Sequence, residues 1–499
     1  MPAEEVTQGS PWRRRSAVRS GLVTGVAAVV LASSGAAAGA LLAQKFGRNA
    51  RTDGLLAAYA VYLVLTLSAQ AFRLVVVPDL TRAAAGGRLG GEARAYAATF
   101  LVLAVPTCVL VGVFADPLGE LITGKLPETS AQIAARALVW MVPAGFAQLL
   151  AALAASVLAA RDSYATAAGG FAGGGVAGLL LFVALADAHG VLTLAWALAL
   201  NGGVALAVPL SRLLRERALH GPAVRLDITG RLWRLVEGAA VPVALQGFYL
   251  ADLRAASALG VGRVSSFSYA YVLAAMFVTA TAFSLGIVSS APLTRRGLEA
   301  EGVAEHILHG AWVSLAAIGA AAGVFAVVGG QVAEAVLGSA YAGGVGHELG
   351  KLVVYLAPWM VASAAFSILF PLLHVLGRRR VLIPVAVLGL AFDIPVTIGL
   401  RAAAGLAGLA VALFIATAVV VAALLAVVST EALLEVGVGL VRLSAIVATA
   451  AVASFGLPAL GLPAPAAAAV GLLLYAVVLT TALRPLGLQK AWAYVRALH

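Results

Sequence analysis

Two carboxylates and two guanidinium groups stand inside long apolar stretches of this chain: Asp252 and Asp393, Arg73 and Arg254. A charge at the centre of a membrane helix costs about 2.5–3.5 kcal/mol on insertion scales, so each such residue needs a pathway, a partner or a route to the surface. Asp393 lies near the middle of "LAFDIPVTIGL", where Pro395 removes a backbone donor and is expected to bend the helix. A carboxyl group beside freed carbonyls can bind a proton or a sodium ion, or it can sit protonated against a neighbouring helix. Asp252 is too short to reach far along a helix and is expected to face a central cleft. Arg73 stands five residues before Pro78, and Arg254 six before Gly260. Each either snorkels to its nearer surface or faces the cleft. Asp53 opens an apolar run, where a first-turn acid complements the helix N-terminus. Gln246, Glu237 and Asn201 are further cleft candidates.

Other chemistries lack their residues. The seven histidines never fall at ligand spacing with acids, so no metal site is expected. The loops carry no paired-carboxylate cluster and no Walker-type phosphate loop, so neither an enzyme nor an ATP-driven pump is expected. No cofactor is expected. A sodium or proton gradient, or the membrane potential, is the expected energy source. The lone cysteine, Cys108, lies inside an apolar run and excludes an intrachain disulfide.

The elements that must hold these residues are membrane helices. Hydrophobic residues make up 62% of the 499-residue chain and charged residues 11%, more apolar surface than a soluble domain can bury. Fourteen apolar runs, from 20–43 to 464–483, each approach the length of a bilayer-spanning helix. They lack the period-2 alternation of a lipid-facing barrel. The first run is longer than the core of an export signal and resembles its successors, so it is expected to remain as a span.

The net charge of +11 follows topology rather than a nucleic-acid footprint. Arginine and lysine concentrate in the N-terminus, the even-numbered connections and the C-terminus, which places both termini in the cytoplasm by the positive-inside rule. Basic runs are read as topology signals and contacts with anionic lipid. The longest such run follows the sixth span and divides the chain. The expected organisation is a cytoplasmic N-terminus (1–19), an N-lobe of six spans (20–210), a basic linker (211–234), a C-lobe of six spans (235–429), two appended spans (430–483) and a cytoplasmic tail (484–499).

An internal repeat supports that division. "VVVPDLTR" (Val75 to Arg82) closes span two and "SSAPLTRR" (Ser289 to Arg296) closes span eight. Gly124 pairs with Gly338, and Pro143 with Pro358, at nearly the same offset. A displacement of six spans preserves orientation, so the lobes are expected to be parallel repeats about a pseudo-twofold along the membrane normal. Such lobes enclose a cleft that can open to either side by rocking. Gly170, Gly174 and Gly178 share one helix face and predict close packing with a neighbouring helix.

Three segments carry a family resemblance: "LLAQKFGRNARTDGLLAAY" (Leu41 to Tyr59), "ADLRAASALGVGRVSSFSYAYVL" (Ala251 to Leu273) and "APLTR" (Ala291 to Arg295). They resemble the MurJ/MviN lipid II flippases of the multidrug/oligosaccharidyl-lipid/polysaccharide exporter (MOP) superfamily. The similarity in pattern runs through nearly all fourteen spans, the appended pair included. It implies transport of an undecaprenyl-diphosphate-linked sugar across the cytoplasmic membrane, with the headgroup in the cleft and the lipid tail in the bilayer. The family's first-span pattern S-R-x-x-G-x-x-R-D reads here as Ala32, Gly35, Ala38 and Gly39, so the glycine persists without the charges. Thr66 and Leu67 fall near the family's arginine late in span two. Ala270, Tyr271 and Val272 stand where its eighth span reads A-D-R. Asp53 matches the family's T-D, and Asp252 falls at a polar position of the seventh span.

The resulting expectation is a monomeric, flippase-like carrier for a lipid-linked glycan, in contact with membrane lipids and with envelope-synthesis enzymes. Arg73 and Arg254 would meet an anionic headgroup, with Asp53, Gln246 and Asn201 beside it, and Asp393 and Asp252 would hold the coupling ion. A cation-coupled multidrug antiporter of the same superfamily and a transport-dead scaffold are the rival readings.

Overall fold

A computed structural model describes residues 11–161, 163–283 and 301–482, and among these residues there is helix and no strand. The first half holds α1 (Pro11–Phe46), α2 (Ala50–Ala85), α3 (Leu89–Val113), α4 (Ala115–Thr123), α5 (Glu128–Ala159), α6 (Tyr164–His189) and α7 (Thr193–Arg215). The second holds α8 (Ile228–Ser257), α9 (Arg263–Val278), α10 (Glu301–Leu337), α11 (Gly344–Tyr355), α12 (Ala357–Val375), α13 (Leu382–Val428), α14 (Thr430–Ala459) and α15 (Ala464–Ala482). Helix satisfies every backbone amide within its own segment, which is what an apolar solvent demands.

Eleven helical stretches among the described residues are long and apolar enough to cross a bilayer. Two of them, Tyr164–Arg215 and Arg379–Val428, each hold two of the fourteen runs. The first is interrupted by the tight turn Gly190–Leu192, and the second by Gly405, whose φ of 58° and ψ of −131° break α13. The run at 235–259 lies on α8, whose Gln246, Asp252 and Arg254 make it more polar than the eleven. The protein is an all-α, multi-pass membrane protein. The run at 264–290 and the motif "SSAPLTRR" extend beyond the described residues.

The two segments that the sequence pairs differ in element order around a shared glycine turn. Gly124 and Gly338 both adopt left-handed φ, 62° and 89°, where the chain turns between helices. Before that turn the first copy has α3 and α4, and the second has the continuous α10. After it the first copy has the continuous α5, and the second has α11 and α12, divided at Leu356. Each copy thus breaks a helix that the other keeps whole.

Contacts divide the chain into two compact units. One combines the chain up to Leu41 with Leu65–Ala115 and Arg136–Leu235. The other combines Leu42–Val64, Asp116–Ala135 and the chain from Val236 onward. In the first, the glycine face of α6 lies directly on α7. A Cβ at Gly174 would stand 2.6 Å from the Asn201 carbonyl oxygen, and one at Gly178 2.7 Å from that of Ala197. The close packing expected from the sequence is therefore backbone against backbone.

The basic connection after α7 is not wholly a solvated run. Arg231 lies in the first turn of α8 and is buried, with its guanidinium forked onto both Glu92 oxygens at 2.9 Å. It also stacks over the Tyr96 ring at 5.5 Å, and the Tyr96 hydroxyl donates to Asp79 at 2.5 Å. A planar, permanently charged fork suits such burial, because every charge it brings is met by a hydrogen bond.

Candidate functional site: a buried carboxyl pair and a stapled helix start

The second unit brings Asp252 and Asp393 together. Asp252 lies near the C-terminal end of α8, and Asp393 and Thr397 lie one turn apart on α13. The helices meet closely because Gly389 has no side chain: a Cβ there would stand 2.9 Å from the Phe248 ring. The Thr397 hydroxyl lies 3.0 Å from Asp252 Oδ1 and 3.4 Å from Asp393 Oδ1, so it bridges the two carboxyl groups. Both acids are fully buried, and the Oδ2 atom of each has no protein donor. Two like charges this close in an apolar wall repel strongly, so the two carboxyl groups resist ionising together.

Tyr249 of α8, Tyr271 of α9 and Trp359 of α12 form an aromatic cluster, and Tyr271 lies in electrostatic reach of Asp252. Tyr249 and Tyr271 stack with centroids 3.8 Å apart, and Tyr271 meets Trp359 at 4.8 Å. Gln246 donates from Nε2 to the Tyr271 hydroxyl at 3.2 Å.

Towards the opposite end of α9 lies a second constellation. Asp53, in the first turn of α2, is fully buried, and its carboxylate accepts from the Gly262 amide and from both the amide and the hydroxyl of Ser265. The acid thus caps the N-terminus of α9, where free amides and the helix dipole favour negative charge. Arg48 closes the loop by donating from Nε to the Gly262 carbonyl at 2.7 Å. Gly262 holds a φ of 82°, and a Cβ there would meet the Arg48 side chain at 2.5 Å, so any side chain at this position is strained and must displace Arg48. Further links join the same segments. Gln44 donates to the Val336 carbonyl at 2.8 Å, Arg254 to that of Leu121, and the Lys125 amide to the Ser257 hydroxyl at 3.3 Å.

Replacing Asp53 with alanine strips these donors of their acceptor, and each buried orphan costs about 1–3 kcal/mol. The purified Asp53→Ala chain is expected to melt at a lower temperature, and Asp53→Asn, which keeps one acceptor oxygen, to fall between it and the parent. An unchanged melting temperature for Asp53→Ala would remove the staple from this account.

The remaining sequence candidates are dispersed. Arg254 is exposed and carries the Leu121 contact. Arg73 is half-buried in the first unit, with its guanidinium in electrostatic reach of the Tyr164 hydroxyl. Asn201, also in the first unit, accepts from Gln148 Nε2 at 3.3 Å. Among the described residues no cluster of histidine, cysteine and acid has the makings of a metal site. Thr397, Ser265, Arg48 and Gly262 did not emerge from the sequence. Thr397 alone had a readable signal, its i+4 spacing from Asp393.

No known family profile matches the sequence, and no curated protein matches it. Solved structures do. The lipid II flippase MurJ in an inward closed conformation superposes with a TM-score of 0.75, at 14% identity, over 93% of this chain and 99% of that one. An inward-facing multidrug resistance MATE family transporter of the MOP superfamily gives 0.63 at 15% identity, over 83% of this chain and 94% of that one. A MOP superfamily transporter from Pyrococcus furiosus, described as having a binding pocket of reverse polarity, gives 0.59 at 14% identity, over 86% and 96%. At these identities the likeness is one of fold. This chain has the fold of the MOP-superfamily transporters, in the fourteen-run form expected from its resemblance to the MurJ/MviN flippases.

Proposed function

We propose that the protein is a flippase-like carrier that turns a polyprenyl-diphosphate-linked glycan, lipid II or a related envelope precursor, across the cytoplasmic membrane. The observation that carries this reading is the extent of the likeness to the flippase. It spans 93% of the chain, against 83% for the MATE transporter, and takes in nearly the whole of the flippase chain. Transport proceeds by alternating access of the two repeats, with both termini in the cytoplasm. With that topology the Asp53 staple ties the start of α2 to that of α9 on the outer side. The Asp252–Asp393 pair binds the coupling cation. Arg73 and Asn201 meet the anionic headgroup, because a diphosphate needs a guanidinium or several donors in a low-dielectric site.

The cation-coupled antiporter reading is favoured by a different observation. The aromatic rings of Tyr249, Tyr271 and Trp359 beside a buried carboxyl pair would suit a lipophilic cation.

Proteoliposomes holding the full chain separate these readings. A fluorescent lipid II analogue, other polyprenyl-diphosphate glycans and ethidium are offered under imposed proton, sodium and potential gradients. Flipping of one or more of the diphosphate glycans, without ethidium accumulation, is the expected result. Ethidium accumulation with no glycan flipping would replace the flippase with the antiporter. Movement of neither class under any gradient would overturn the carrier reading.

A further inference from the structure

The basic connection between the repeats does not leave α7 as a loose chain. Arg217 turns out of the helix in the left-handed region, at a φ of 50°, and the Ala218 amide closes the end by donating to the Leu213 carbonyl at 2.9 Å. The chain then crosses the first turn of α3, where two adjacent glycines admit it. A Cβ at Gly90 would stand 2.3 Å from the His220 carbonyl oxygen, and one at Gly91 2.2 Å from that of Pro222. Backbone therefore lies on backbone, and Arg94 adds a hydrogen bond to the Gly221 carbonyl at 3.0 Å. Beyond this crossing, Asp227 caps α8 by accepting from the Gly230 amide at 3.0 Å. Arg231 forks onto Glu92 and sends its remaining nitrogen to the Arg225 and Asp227 carbonyls, at 3.2 and 3.3 Å.

We infer that residues 216–235 form a fixed strap, which holds the start of α8 on α3 through the whole transport cycle. The inference rests on the alternating access proposed above and names a part of the chain that does not move in it. Three observations carry it. Every nitrogen of the Arg231 guanidinium has an acceptor, and the residue is 4% exposed. Undocking would strand the Glu92 carboxylate, itself 15% exposed, without its cation. The glycine crossing uses main-chain surface on both sides, so its fit does not depend on side-chain rotamers. Contacts assign α8 to the first unit as far as Leu235 and to the second from Val236.

The basic connection is then not the joint at which the repeats turn, although it is the longest basic run in the chain. That joint lies inside α8, beyond Leu235, and the same helix carries Asp252 near its other end. The carboxyl pair and the start of α3 are thereby linked through one helix, anchored by Arg231. A latch built to release would use a pair that water can solvate as it parts. The exposed Arg82–Asp79 and Arg212–Glu216 pairs are of that kind, and the Arg231–Glu92 pair is not.

The test is a spin-label distance measurement on the full chain in proteoliposomes, with labels at Ser211→Cys and Arg225→Cys and with Cys108→Ser. Ser211 is exposed on α7, and Arg225 is exposed on the strap. The expected distance distribution is narrow and keeps its centre in sodium, in potassium, at low pH and with a lipid II analogue. Adding Glu92→Ala is expected to widen it about twofold or more, and Glu92→Gln, which keeps one acceptor oxygen, to widen it less. A broad distribution in the parent, or a centre that moves with any of these conditions, would overturn the strap. Glycan flux gives a second readout. Glu92→Cys with Arg231→Cys, bridged by a bifunctional methanethiosulfonate in place of the ion pair, is expected to carry flux at or above that of the unbridged protein. A fall of about tenfold or more on bridging, reversed by reduction, would mean that the strap must release, and would overturn it. Because the distances need no substrate movement, a narrow, constant distribution in a chain that moves no glycan would uphold the strap and sink the transport reading alone.

Discussion

Reconstituted protein carrying both Asp252→Asn and Asp393→Asn is expected to lose gradient-driven transport, with flux down by about a hundredfold or more. It is expected to melt at or above the temperature of the parent. Asparagine keeps the shape of each side chain and leaves an amide oxygen for the Thr397 hydroxyl, which bridges the two acids at 3.0 and 3.4 Å. What it removes is the capacity to hold a cation, because a neutral amide neither gains a proton nor pairs with a metal ion. The gain in stability follows from the same burial. Both carboxyl groups are shut away from water, and one oxygen of each has no donor, so their neutral replacements no longer pay for desolvating a charge. Flux in proteoliposomes and thermal unfolding in detergent measure the two effects. Parent-like flux from the double variant would remove the pair from the mechanism, and a sharply lower melting temperature would mean that it serves packing instead.

The membrane architecture was legible because it depends on composition over windows of twenty residues, where single errors average out. The turns at Gly124 and Gly338, paired in the sequence, both adopt left-handed φ. The glycine face of α6 was legible as well, since small residues one turn apart have few other uses in lipid. The site was legible only in parts. Asp252 and Asp393 stood out separately as costly acids, but their meeting depends on how α8 and α13 are rotated about their axes, which no local pattern encodes. Asp53 read as a first-turn acid of its own helix, and it does lie in the first turn of α2. Its carboxylate nevertheless caps α9, more than two hundred residues away, because Gly262 turns the incoming chain at a φ of 82°. Arg231 read as one more basic residue of a linker. Its partner Glu92 lies 139 positions earlier, and pairing across that distance is a property of the packed fold. The paired break positions, with α10 whole where α3 and α4 are divided, show that repeated sequence does not fix where a helix ends.

Gly124 and Ser257 offer the most direct test of alternating access. Gly124 follows α4 and Ser257 ends α8, and a Cβ added at Gly124 would stand 2.7 Å from the Ser257 hydroxyl. Cysteines at both positions, with Cys108→Ser to remove the native thiol, therefore lie within disulfide reach. The left-handed conformation at Gly124 costs a cysteine about 1–2 kcal/mol, a tolerable load for a chain of this size. In the alternating access proposed for the two six-span repeats, which assigns Gly124 to one repeat and Ser257 to the other, these two ends part once in every cycle. The measurement is glycan flux through the Gly124→Cys, Ser257→Cys protein in proteoliposomes, oxidised and then reduced. The account predicts flux near the protein-free level when oxidised, recovery on reduction, and no effect of oxidant on either single variant. Full flux through the quantitatively cross-linked protein would contradict it.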